Sequence, residues 1–211
     1  MPIYFNCKKK KKKPNRSLKS LILPAALIAA ALSFSFSFIY NQTSSLKTVK
    51  LRSNCTSLSR TEAKRMVTQK GFFDKYWNKS GGFENKYETK KNKNTKIVID
   101  HATNLIWHQS GSNDFMNLNE AMEWINKLNK DKYAGINSWR LPTLEEALSI
   151  LENHKMNGNL YIDPVFDGWQ WCILTGDTLD INKIWLVAFS GRIDWFDSNV
   201  RINYVRPVSS M

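Results

Sequence analysis

The sequence predicts an α+β fold with two or three short helices and a twisted antiparallel sheet, preceded by one N-terminal transmembrane helix. Three observations support this prediction: an apolar stretch behind a lysine run, three helix-capping signals followed by apolar stripes, and a C-terminal series of short β-type runs. Helices placed before strands are typical of an α+β domain rather than of an alternating α/β fold. The length of 211 residues suffices for one domain and an extension.

The N-terminus has the features of a membrane signal-anchor. Residues 1–20 form a basic segment with the unbroken run Lys8–Lys13, and residues 21–40 are apolar and uncharged. As a helix, the apolar stretch would be about 30 Å long, which matches the hydrocarbon thickness of a bilayer. The positive-inside rule then predicts a cytoplasmic N-terminus and a periplasmic or extracellular domain. A cleaved signal peptide is the alternative, but cutting at Ala29–Ala31 would leave Leu32–Tyr40 as an exposed apolar tail.

The positive charge is concentrated before the folded domain. The formal net charge is +13, yet residues 97–211 contain nine Lys or Arg and fourteen Asp or Glu. A domain of this composition lacks the basic excess that binding to a polyanionic nucleic acid requires. We therefore expect a membrane partner, through the single span, and no nucleic-acid partner.

The segment between the span and the domain divides into two parts. Residues 41–57 are polar and lack apolar periodicity, which predicts a solvated stalk linker. Residues 58–96 form a helix and aromatic-rich extension, in which Ser59 and Glu62 have capping-box spacing and Gly71 is placed to end the helix.

The folded domain is predicted to occupy residues 97–209. The lysine-rich and asparagine-rich segment Tyr87–Lys96 is interpreted as a hydrophilic break before it. The runs Ile97–Asp100 and Leu105–Trp107 then predict a β-hairpin.

Two further helices and a set of strands are predicted in this domain. One helix begins after Asn117, with Glu120 completing the cap; the other begins after Thr143, with Glu146 in the same role. Their predicted buried stripes are Leu118, Ala121, Met122, Ile125 and Leu128 in the first helix, and Leu144, Ala147, Leu148 and Leu151 in the second. The predicted strands are Gln170–Leu174, Lys183–Phe189, Ile193–Phe196 and Ile202–Val208.

Four segments of the domain carry a family resemblance. They are IDHATNLIWHQSG (Ile99–Gly111), AGINSWRLPTLEEALSIL (Ala134–Leu151), YIDPVFD (Tyr161–Asp167) and VRPV (Val205–Val208). In this order they resemble the landmarks of the Lcl C-terminal domain family. The resemblance covers about the last half of the chain. It implies a C-type-lectin-like fold, related to that of formylglycine-generating enzymes, and an adhesive role in a bacterial envelope.

The WRLPT segment is expected to be structural. Its predicted structural residues are Trp139, Arg140, Leu141, Pro142 and Thr143. Pro142 holds Leu141 extended before the helix, and the large apolar side chains are expected in the core. Arg140, flanked by two of them, should form an ion pair with an acidic residue such as Asp100 or Glu145. A ligand-binding role for Arg140 is the less favoured alternative.

The candidate ligand-binding residues are aromatic and polar groups in the strand-rich half: Trp169, Trp195, Asp197 and Asn199. Sugar rings stack their C–H faces on exposed aromatic rings, and Trp169 follows Gly168 in a predicted turn. In the strand that contains Trp185, alternation predicts burial of Trp185, Val187 and Phe189.

Metal binding and a disulfide are weaker alternatives. Asp194, Asp197 and Asn199 could contribute to a Ca²⁺ site, but the favoured explanation is that they are acidic and polar turn residues that keep the loops soluble. Cys55 and Cys172 would both face an oxidising compartment, so they either pair or remain free thiols.

The sequence offers no catalytic constellation. The three histidines lack the spacing of zinc ligands and are expected at the surface or in turns. The cysteine pair of formylglycine-generating enzymes is reduced to Cys172, and no acid–base pair can be named. We therefore expect a non-enzymatic, membrane-anchored recognition or adhesion module that binds a glycan or a protein. A self-associating structural or sensory envelope protein is the alternative.

Overall fold

The computed structural model describes residues 48–211, so the predicted span, residues 21–40, lies outside the described residues. Among residues 48–211, no helix is long and apolar enough to cross a membrane. The helices are α1 (Arg60–Gln69), α2 (Leu118–Lys130) and α3 (Leu144–Ser149), with a 3₁₀ turn at Tyr133–Gly135. The strands are β1 (Tyr87–Asn92), β2 (Thr95–Asp100), β3 (Leu105–His108), β4 (Cys172–Thr178), β5 (Lys183–Ala188), β6 (Arg192–Asp197) and β7 (Val208–Ser210).

The strands form two antiparallel sheets. One has the order β1-β2-β3-β7, and the other has the order β4-β5-β6. An isolated parallel bridge between Ile173 and Tyr204 joins β4 to the segment that precedes β7. Three helices and antiparallel sheets confirm the predicted α+β class.

All three predicted capping boxes are present. Ser59, Asn117 and Thr143 each accept a hydrogen bond from the backbone of the glutamate three positions later, and that glutamate binds back to the cap residue. Gly71 follows α1 with φ of +73°, a conformation that favours glycine. Two predicted stripe residues of α2 depart from the prediction: Met122 is exposed and Leu118 is only partly buried, whereas Ala121, Ile125 and Leu128 are buried.

The main core lies where α1, α3 and β5 meet. Every residue of α3 is buried, and Trp185, Val187 and Phe189 are buried as predicted. Ile184 and Leu186, on the opposite face of β5, are buried as well. Both faces are covered because Trp185, Val187 and Phe189 pack in the main core, whereas Ile184 and Leu186 pack in separate apolar clusters on the other side.

The segment Tyr87–Lys96 is not a hydrophilic break. Its first six residues form β1, which pairs with β2 from Tyr87 opposite Asp100 to Asn92 opposite Thr95. β1 is an edge strand in which every residue after Tyr87 is exposed. Its sequence therefore lacks the alternation of apolar and polar residues that would have predicted a strand. Lysines on such an edge oppose pairing with another chain.

The predicted strand Ile202–Val208 is also wrong. Pairing with β3 is confined to Val208–Ser210, and Asn203 and Tyr204 form only isolated bridges. Pro207 has no N–H to donate to a ladder, which explains why regular pairing begins after it.

The described part of the predicted stalk is docked on the domain. Val49 donates its N–H to the carbonyl of Ala102 at 2.8 Å, and Leu51 is buried. The Arg52 guanidinium binds both carboxylate oxygens of Asp177, at 2.8 and 2.5 Å. These contacts attach the stretch to the domain, although most of its other side chains are exposed.

Candidate binding surface

A buried arginine organises one end of the domain. The Arg206 guanidinium donates hydrogen bonds to the carbonyls of His108, Gln109 and Asp167, and it lies 4.8 Å from the centre of the Phe166 ring. Burial lowers the pKa of Arg206 to about 9, so the group remains charged at neutral pH. A buried cation bound to several carbonyls fixes the chain segments that carry them.

Gln170 extends this arrangement to the loop that follows β3. Its Oε1 accepts a hydrogen bond from Arg206, and its Nε2 donates to the carbonyls of Ser110 and Ser112, the latter at 2.7 Å. Gly111 has φ of +66°, and a Cβ there would collide with the Gln170 amide and the Val205 carbonyl. Only glycine fits this close approach, so residues 110–114 form a rigid loop.

An aromatic patch is exposed beside this loop. It consists of Phe115, Trp169, Trp171 and Tyr204. The exposed fractions are 84% for Trp169, 45% for Trp171 and 38% for Phe115. The Phe115 ring contacts those of Tyr204 and Trp171, with centroids 4.6 and 6.4 Å apart. Trp169 and Tyr204 line a cavity of about 240 Å³, together with Ser110, Ser112, Asn113, Asp167 and Gln170.

His108 is buried, contrary to the expectation that the histidines lie at the surface or in turns. Its ring stacks on Tyr133 with centroids 4.5 Å apart, and its Nδ1 accepts a hydrogen bond from the Gly111 N–H at 2.9 Å. Burial lowers the pKa of His108 from 6.5 to about 4. The imidazole is therefore neutral at physiological pH and carries its proton on Nε2. Neither helical nor strand periodicity around His108 predicted its burial, because the ring that stacks on it, Tyr133, is distant in the sequence.

The predicted ligand-binding residues occupy different environments. Trp169 is exposed, as its turn position predicts. Trp195 instead packs edge-on against Trp185, with centroids 5.7 Å apart, and the Arg60 guanidinium lies 4.5 Å from its ring centre. Asp197, the last residue of β6, and Asn199, in the turn after it, are exposed, and the Asp197 carboxylate accepts a hydrogen bond from the Asn199 N–H at 2.9 Å.

The acidic residues do not converge on a metal position. Within residues 48–211, no group of three or more His, Cys, Asp or Glu side chains is arranged to hold an ion. The Asp194 carboxylate is 3.0 Å from Arg192, which gives it a partner within its own strand.

Most residues of the WRLPT segment are buried, and Arg140 has a different partner from the one expected. Arg140 forms an ion pair with Glu146, at 2.7 and 2.6 Å, rather than with Asp100 or Glu145. Asp100 instead binds the turn that follows it, and Glu145 pairs with Lys70. Glu146 is the partner because the capping box already brings its carboxylate back to the start of α3. Trp139, Leu141 and Thr143 are buried.

Cys55 and Cys172 are both free thiols, so the structure does not form the Cys55–Cys172 bridge. The buried Cys172 thiol lies 3.4 Å from the Asn203 side-chain oxygen, and burial raises its pKa to about 12. Cys55 is exposed and lies against Gly176 instead.

Several residues of this end of the domain were not identified from the sequence. Phe115, Trp171, Tyr204, Gln170 and Arg206 come from three segments that converge only in the folded chain. Arg206 was the one with a usable signal, since a charged residue within an apolar VRPV run requires buried acceptors.

Comparisons with known proteins agree with this arrangement of landmarks. Residues 96–209 match the Lcl C-terminal domain family. Comparisons with curated proteins and with solved structures found no match to the chain. The matched region contains the aromatic patch, Arg206 and the WRLPT segment, and it covers more than half of the sequence. The chain therefore belongs to the Lcl C-terminal domain family.

Proposed function

We propose that this protein is a membrane-anchored, extracytoplasmic recognition module with a C-type-lectin-like domain that binds a glycan at the aromatic patch. The observation that carries the proposal is Trp169, whose ring is 84% exposed at the edge of a polar cavity. Contiguous exposed apolar patches with polar residues at their edge often mark interaction sites.

The surroundings of Trp169 suit a sugar. The flat apolar face of a pyranose ring can stack on the indole, while the Asp167 carboxylate and the Asn113 amide offer hydrogen bonds to its hydroxyls. Asp167 and Gln170 are held by the buried Arg206, so the site is formed before a ligand arrives. Preorganisation reduces the entropy that binding must overcome.

The chemistry of the titratable groups favours recognition over catalysis. A general base works best with a pKa near the operating pH, whereas the pKa of His108 is about 4. The Cys172 thiol, with a pKa of about 12, is protonated and buried, which makes it a poor nucleophile.

Replacing Trp169 with alanine tests the proposed site. We expect the wild-type full chain, purified in a neutral detergent, to be retained by at least one of immobilised dextran, chitin or alginate. Trp169→Ala should weaken that binding about tenfold, as truncation of an interface tryptophan commonly does. The unfolding temperature should not change, because the side chain makes little contact with the core.

The matched control is Ile181→Ala, since Ile181 is 95% exposed on the separate β4–β5 turn. It should bind as the wild type does. Equal binding by Trp169→Ala and wild type, or no retention on any of the three polysaccharides, would contradict a glycan site at this patch. Concentration-dependent dimerisation that Trp169→Ala abolishes would instead support the self-associating envelope protein.

The anchoring part of the proposal predicts a specific topology. By the positive-inside rule, the lysine run before residues 21–40 supports an orientation with the domain outside the cytoplasm. Protease added to spheroplasts, in which the outer face of the cytoplasmic membrane is accessible, should therefore degrade residues 48–211, and the protein should stay with the membrane after alkaline carbonate extraction. Recovery of the intact protein from cytosol without detergent would refute this topology.

A further inference from the structure

A second cavity, of about 430 Å³, borders the same loop as the aromatic patch. Its walls include the rings of Trp124, Tyr133 and His108 and the thioether of Met116. Asp114 contributes the one carboxylate of the lining. We call this the His108 cavity.

The aromatic rings of the His108 cavity form a fixed corner. Tyr133 lies nearly parallel to His108, with an interplanar angle of 22°, whereas Trp124 is inclined to His108 by 61° with centroids 5.5 Å apart. The Tyr133 hydroxyl accepts a hydrogen bond from the Lys96 N–H at 2.9 Å and donates one to the Lys96 carbonyl at 3.3 Å. These two bonds hold the Tyr133 ring without any ligand.

The charge of the lining is negative. It includes Asp114 but no Lys or Arg, and His108 is neutral above a pH of about 4. The buried Arg206 guanidinium binds the His108 backbone carbonyl, and its positive charge is partly offset by the nearby Asp167. The cavity therefore combines π faces with one carboxylate and contains no competing cation of its own.

From this geometry we propose that the His108 cavity binds a quaternary ammonium group of the choline type. Such a cation is large and weakly hydrated, and it is attracted to the faces of Trp and Tyr rings. The Met116 thioether is a soft, adaptable contact for its methyl groups. A hard ion such as Ca²⁺ would need six or more oxygen ligands, which a single carboxylate does not approach. This site is additional to the glycan site and does not depend on it.

Titration calorimetry of the full chain in a maltoside detergent tests the proposal with choline and its uncharged isostere 3,3-dimethylbutan-1-ol. Choline should bind at least about tenfold more tightly than the isostere, because only the cation gains the π and carboxylate attraction. Trp124→Leu keeps an apolar side chain but removes the indole face, and it should weaken choline binding by about fivefold to thirtyfold. Asp114→Asn, which cannot disturb the core because Asp114 is exposed, should weaken it about threefold.

Trp171→Leu is the matched control, since Trp171 belongs to the aromatic patch and does not line the His108 cavity. It should leave choline binding unchanged. Phosphocholine and soluble dihexanoylphosphatidylcholine, compared with choline, identify whether a phosphoester or a lipid is the preferred source of the group. Equal affinity for choline and the isostere, or binding that neither Trp124→Leu nor Asp114→Asn weakens, would overturn the proposal.

Discussion

Replacing Asp177 with alanine is expected to destabilise the domain by about 3 kcal/mol, which corresponds to a fall in Tm of roughly 10 °C. The Asp177 carboxylate is fully buried and binds the Arg52 guanidinium. It also accepts hydrogen bonds from the backbone N–H groups of Thr56 and Leu144, each at 2.7 Å. Its removal leaves these donors unsatisfied, and unsatisfied buried donors incur their full desolvation penalty.

Urea unfolding of the full chain in detergent, followed by tryptophan fluorescence, measures this effect. Asp180→Ala is the control, because Asp180 is exposed and its carboxylate binds only Lys183 and the Asn182 N–H within a surface turn; it should change the stability by less than about 0.5 kcal/mol. A double-mutant cycle with Arg52→Ala would give the coupling between the two side chains. A loss below about 1 kcal/mol for Asp177→Ala would mean that residues 49–56 are not docked in solution.

The second large effect is a pH dependence due to His108. Its folded-state pKa of about 4 lies below the ordinary value of 6.5, so the unfolded chain binds more protons between these values. The contribution of neutral His108 to stability is therefore complete above about pH 6.5 and is lost as the pH falls towards about 4. The total loss is about 3 kcal/mol, because each pKa unit corresponds to about 1.4 kcal/mol.

His108→Gln isolates this contribution. Glutamine keeps an acceptor for the Gly111 N–H but does not titrate. The free energy of unfolding of the wild type should fall more steeply than that of His108→Gln between about pH 6.5 and pH 4. Exposed His154 provides the control, since His154→Gln should follow the wild-type curve. Parallel curves for wild type and His108→Gln would show that the imidazole is protonated without cost.

Local signals predicted the helices well because capping is a short-range interaction. Ser59, Asn117 and Thr143 each satisfy backbone donors within three residues, so their spacing alone is informative. The capping box could also have identified the partner of Arg140. A capping Glu146 returns its carboxylate to the Thr143 N–H at the start of α3, where it is also within reach of Arg140. The sequence argument treated these as separate interactions.

The candidate site was much harder to predict because its contacts are long-range. Gln170 and Arg206 bind a loop that is about sixty to one hundred residues away in the chain. Trp169 could be identified from its turn, but its neighbour Tyr204 lies in a segment that alternation wrongly assigned to a strand. The edge strand β1 was not predicted for a different reason: an exposed, lysine-rich strand has no periodic pattern of apolar residues.

The bond between Val49 and Ala102 joins the N-terminal side of the domain to the β2–β3 turn, whereas the loop after β3 leaves from the other end of these strands. If a ligand held at that loop were pulled against a membrane tether, the force would run lengthwise along β2 and β3. Antiparallel hydrogen bonds are perpendicular to their strands, so a force along β3 would load its bonds to β2 and β7 in shear rather than one at a time. For a tethered domain, this strand direction would be the mechanically stronger orientation.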